Sequence, residues 1–129
     1  MKREPWTDTE NDLIVADYFA MLDDEFFGRP FSKAQHRRAL LPLLDGRSEG
    51  SVEFKYQNIS AVLMGLGEDW IHGYKPAFNF QMSLVDAVAR WLERNPMWLG
   101  RLPESRPSRV IPGAAPIWVG LNRPGFPGE

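Results

Sequence analysis

The sequence predicts an all-α protein: a three-helix, helix-turn-helix-like core, a fourth helix and a Pro/Gly-rich extended C-terminal tail. Three observations predict it. Four segments carry apolar residues at spacings of three and four, the period of a helix with one buried face. Each segment opens on a side chain able to cap a helix and closes on glycine or proline. Seven of the 11 prolines and five of the 11 glycines lie from Asn95 onward, a composition that sustains no long helix. At 129 residues, 43% of them hydrophobic, the chain has about one domain's length and can bury one modest core. The expected division is a helical domain over 6–94 and a linker or tail over 95–129.

Thr7-Asp8-Thr9-Glu10 reads as a capping box, with Thr7 as N-cap and Glu10 reaching back to its amide. Leu13/Ile14, Tyr18, Met21/Leu22 and Phe26 follow at helical period, and Gly28 and Pro30 stop a first helix over about 8–27. Ser32-Lys33-Ala34-Gln35 reads as a second capping box that opens a second helix through Leu40, Leu43 and Leu44. Pro42 removes one backbone bond near its end and should bend or tighten the last turn, before Asp45-Gly46 ends the run. Ser48 is the expected cap of the third helix, where Val52, Tyr56, Ile59, Leu63 and Leu66 form one stripe and Gly67 a C-terminal stop. Residues 68–78 read as an ordered loop. Asn79 is the expected cap of a fourth helix carrying Leu84, Val85, Val88, Trp91 and Leu92, closed by Asn95-Pro96.

The net charge of −2 is unevenly spread. Residues 1–28 hold two bases and eight acids, while residues 29–55 hold six bases and three acids, the bias a phosphate-facing surface needs. The absence of cysteine excludes disulfides and thiolate metal sites and fits a reducing cytoplasm. No secretory signal and no run of about 18 apolar residues is present, so a soluble protein with no membrane partner is expected. His36 and His72, the only histidines, are too few for a typical zinc site and read as surface or hydrogen-bonded residues. Asp23-Asp24-Glu25 occupy consecutive helical positions, which do not converge on one metal ion and read as a solvated acidic end. No phosphate-binding glycine loop or nucleophilic triad appears, so no catalytic residue, metal or cofactor is expected. Trp70, Tyr74, Phe78 and Phe80 around Gly73 form either an aromatic cage for a modified base or part of the core.

Two patterns carry a resemblance. Trp6-Thr7-x-x-Glu10, followed by Gly46-Arg47-Ser48-x-x-Ser51-Val52-x-x-Lys55-Tyr56-x-Asn58, resembles the opening and third-helix patterns of Myb/SANT-type three-helix domains. That resemblance covers residues 6–66. It implies that Trp6 and Tyr56 share a core and that the third helix enters the major groove. Glu53 stands where those domains commonly place a base, a departure that disfavours phosphate. The string Ser51–Leu63, with Gly73-Tyr74-Lys75-Pro76 after it, also resembles an N-terminal domain of bacterial multidomain proteins that join it to nuclease or other defence-type modules, some of them restriction-like. This second likeness covers residues 6–94 and would leave catalysis to a part of the parent protein outside this chain.

At about 100° per residue, Gly50, Phe54, Gln57 and Ala61 point away from Val52 and Tyr56, with Asn58 on the flank. The expected function is therefore a non-catalytic DNA-binding, target-recognition module. Arg37, Arg38, Arg47 and Lys55 are its phosphate contacts, and Gln57 and Asn58 are base readers for adenine. Phe54 on the outer face also fits a third helix that is apolar on both sides and packed between its neighbours. That arrangement, with the acidic first helix and the sequence pI of 5.7, defines the alternative: a protein-interaction or dimerisation domain.

Overall fold

The computed structural model describes residues 5–98, and among them there are four α-helices, two single turns of 3₁₀ helix and no strand. The tail expected over 95–129 lies, from residue 99 on, outside the described residues.

Helix α1 (Asp8–Phe26) begins on the expected capping box: Glu10 N–H donates to Thr7 Oγ1 at 3.1 Å, and Thr7 N–H donates to Glu10 Oε1 at 3.0 Å. Gly28, at φ 72°, takes the left-handed conformation that ends it, a geometry costly for any residue with a Cβ. Ile14, Val15, Tyr18, Phe19, Met21 and Leu22 are each at most 1% exposed, a width of buried surface too great for contact with a single neighbour. Helix α1 accordingly packs on all three other helices.

Helix α2 (Lys33–Leu40) is capped by Ser32 Oγ, which accepts Gln35 N–H at 3.2 Å. Pro42 tightens the end of this run into a 3₁₀ turn, Leu41–Leu43, and Gly46 at φ 73° redirects the chain. Helix α3 (Glu49–Gly65) starts at Ser48, whose Oγ accepts Ser51 N–H at 3.1 Å. It ends in paired bonds from Gly67 N–H to Met64 O and from Glu68 N–H to Leu63 O, with Gly67 at φ 75°. Of the expected stripe, Val52, Tyr56, Ile59 and Leu63 are fully buried and Leu66 is 53% exposed, while Asn58, Ser60, Ala61 and Val62, on other sides of the helix, are buried too. Burial on several sides makes α3 an internal strut.

Residues 66–81 return along α3. Ala77 N–H bonds Gln57 O at 3.1 Å, and Tyr18 Oη accepts Ile71 N–H at 2.9 Å while sharing a 2.7 Å bond with Ser60 Oγ. Helix α4 (Met82–Arg94) is capped at Gln81, not at the expected Asn79. Phe80 N–H bonds Phe78 O, so the chain is still turning at the position where the cap was expected. The packed body runs on past 94. Trp98 is 7% exposed and stands edge-on to Phe19 and Trp91, whose rings stack at 3.8 Å.

Helices α1 and α3 point the same way. Glu10 meets Arg47, Asp17 meets Tyr56 and Tyr18 meets Ser60, in step along both. Helix α2 runs back between their ends, with His36 on Asp17 and the Asp45 amide on Glu10.

Candidate interaction face of the second and third helices

The residues expected to meet DNA divide by their place on this frame. Arg47 precedes the α3 cap, where the guanidinium folds back onto the α1 capping box. Its Nη2 lies 2.8 Å from Glu10 Oε1 and 3.0 Å from Pro5 O, its Nε lies 3.1 Å from Glu10 Oε2, and the side chain is 2% exposed. The hydrogen bonds from Arg47 hold the Glu10 carboxyl down at about 2, against the opposing effect of burial. Lys55 is 7% exposed, its Nζ 5.3 Å from the Trp6 ring centroid. Burial lowers its pKa, and Arg47 adds to the effect. Asn58 is 1% exposed and donates through Nδ2 to Ala77 O at 2.7 Å.

Arg47, Lys55 and Asn58 therefore face inward, and the expectation that they present themselves to phosphates and bases is corrected. The cause is specific to each: a buried carboxylate for Arg47, an indole for Lys55 and the returning loop for Asn58. The outward residues are fewer. Arg37 is half-buried, 3.7 Å from Glu49 and 3.6 Å from Glu53; Gln57 is half-buried, and Arg38 is exposed. Glu53 serves as a partner of Arg37. Arg29, in the same basic segment, is paired with Asp23 and Asp24. Residues 5–98 hold nine lysines and arginines against fourteen aspartates and glutamates, a net charge of −5.

A polar cluster beneath this face has only a weak signature in the sequence. Asp17 of α1 accepts Tyr56 Oη of α3 at 2.5 Å and lies 2.7 Å from His36 Nδ1 of α2. Burial, followed by the bond to Asp17, raises the Tyr56 pKa, and burial likewise raises that of Tyr74, whose ring lies 4.8 Å from that of Tyr56. Reading His36 as hydrogen-bonded anticipates half of this; nothing in the spacing of Asp17 points to its two partners. The aromatic residues around Gly73 do not converge. Tyr74 is fully buried in the core, whereas Phe78 is 53% exposed.

Apolar side chains left in water form the second feature. Phe54 on α3 is 43% exposed, within one helical turn of Gln57, whose carbonyl accepts Ala77 N–H, and Phe78 is 53% exposed. A concavity of about 500 Å³ opens between α1 and the end of α4. Ala16, Ala20, Phe19, Trp91, Met97 and Trp98 line it, and Met97 is 84% exposed.

No family model, curated protein or solved structure matches this chain. Among the described residues no three carboxylate or histidine side chains group as metal ligands, and no helix is long and apolar enough to cross a membrane.

Proposed function

We propose that this helical domain is a non-catalytic protein-interaction module, with a second copy of the chain as the partner to test first. One contrast carries the reading. Of the six cations of residues 29–55, Arg29, Arg37 and Arg47 are paired with carboxylates and Lys55 is buried, while Phe54, Phe78 and Met97 remain exposed. Exposed apolar side chains, Met97 among them at the rim of a concavity, suit a protein partner. The acidic balance of residues 5–98, a net −5, disfavours phosphate. Light scattering after size exclusion is expected to give a mass above 14.8 kDa that rises with concentration and returns to the monomer value in Phe54→Asp or Met97→Asp. A monomer at every concentration, together with salt-sensitive binding to duplex DNA, overturns it.

The second reading is a DNA target-recognition module of a bacterial, restriction-type protein, built on a helix-turn-helix-like three-helix unit. The side-chain cap at the start of α3 and the exposed Arg38 on α2 favour it. Its accessible contacts are then Arg38, Arg37 and Gln57, and Arg38→Ala is its test, expected to weaken binding and reduce the salt slope by about one.

A further inference from the structure

The concavity between α1 and the end of α4 holds about 500 Å³, within the range of sites that enclose a side chain or a small ligand. Its walls are largely apolar: the exposed Ala16 and Ala20, one turn apart on α1, with Trp91, Met97 and Trp98. Of its polar lining, Asp23 is paired with Arg29 at 2.8 Å and Asn95 Nδ2 donates to Trp91 O at 2.8 Å, so an apolar occupant suits it better than a polar one. Trp98 is both a wall of this concavity and the last described residue, so the chain leaves the packed body at its rim. Residues 99–129 follow, with four arginines against two glutamates, a net +2 beside the −5 of residues 5–98. Their longest run of large apolar side chains is Ile117-Trp118-Val119, set between Pro116 and Gly120. The 20 residues from Trp98 to Trp118 span roughly 70 Å when extended, ample for a return to the rim.

We propose that this concavity is the docking site of Ile117-Trp118-Val119 of the same chain, with the Trp118 indole seated between the α1 alanines and Met97. Burial of the indole removes apolar walls from water on both sides. The basic segment complements the acidic body in charge. A tethered occupant also meets its site at an effective concentration on the order of 1 mM, without the loss of translational freedom that a separate partner bears. The docked segment covers Met97 and so competes there with a second copy. It therefore goes beyond the pairing reading and rests on the concavity and the tether, whether or not the chain self-associates.

Nuclear Overhauser spectroscopy on the full chain tests the proposal. The Trp118 indole N–H, assigned by its loss in Trp118→Ser, is expected to give cross peaks to the Ala16 and Ala20 methyl groups. The same variant is expected to shift those methyls and that of Met97, and to leave the methyls of Val52 and Leu63 in place. A sample mixing chains labelled at methyl carbon with chains labelled at nitrogen shows only contacts between molecules, and there the cross peaks are expected to vanish. Absent cross peaks in the uniformly labelled chain overturn the proposal. Cross peaks that persist in the mixed sample place the segment in a second copy's concavity and overturn the same-chain contact equally. Light scattering reads the pairing separately: a monomer that keeps its cross peaks sinks self-association and leaves the docked segment standing.

Discussion

At the residue scale, Arg47 and Arg38 make a controlled pair, nine positions apart in one basic segment but opposite in environment. Removing Arg47 strands the Glu10 carboxylate in the interior, so Arg47→Ala is expected to cost about 3–5 kcal/mol in urea unfolding. Arg38→Ala, on an exposed helical surface, is expected to stay within about 0.5 kcal/mol. Equal effects would remove Arg47 from the interior. The same pair sets a pH dependence. The Glu10 carboxyl lies at about 2 in the folded protein, below the ordinary value of 4.5, so its contribution is complete above that ordinary value and is lost as pH falls through the window towards 2. The loss is on the order of 3 kcal/mol, and Glu10→Gln is expected to flatten the stability profile within that window. Arg47 illustrates the limit of sequence reading at this scale. Its charge is plain in the sequence, whereas its partner 37 positions away is visible only once α1 and α3 lie side by side.

At the scale of elements, legibility was high where local chemistry decides and low where distant chain decides. The caps at Thr7, Ser32 and Ser48, the tightening at Pro42 and the stop at Gly67 are each settled within a few residues, and each was readable. Asn79 is a good cap in isolation, yet the turn at Phe78–Phe80 takes that part of the chain first and α4 is capped two residues later, at Gln81. The outer side of α3 was harder still. Phe54, Gln57 and Ala61 look alike by angle, with Asn58 on their flank, but the loop returning at Ala77 engages Asn58, Ala61 is buried, and Phe54 stays out. Two glycines test the local account. Gly67→Ala meets no steric neighbour, so its expected cost of about 1 kcal/mol is that of the left-handed backbone alone. Gly50→Ala, on open helix surface, is expected to stabilise by roughly 0.5 kcal/mol. Thermal denaturation reads both, and a shared sign would refute the conformational argument.

At the scale of the whole molecule, the all-helical class followed from periodicity, while the extent of the packed body did not. Asn95-Pro96 ends α4 as expected, but the chain then delivers Trp98 onto Phe19 and Trp91. Trp98→Ala is expected to cost about 3–5 kcal/mol in urea unfolding, as for a buried core aromatic. A cost below about 1 kcal/mol would return residues 95–98 to the linker. The charge pattern also changes meaning at this scale. The basic segment 29–55 looked like a surface, but in the fold it is largely the counterpart of the acids on α1 and α3.

The most extensive helix–helix contact joins α1 to α4, and its ion pair from Asp12 to Arg90 closes 78 residues of chain. On the ribosome this order has a cost in time. At about 5–20 residues per second, translation from Phe19 to Trp98 takes roughly 4–16 s, far longer than a helix needs to form. Throughout that interval the nascent chain carries Phe19 and its neighbours with no fourth helix to cover them, which makes the half-made chain a natural client for a chaperone.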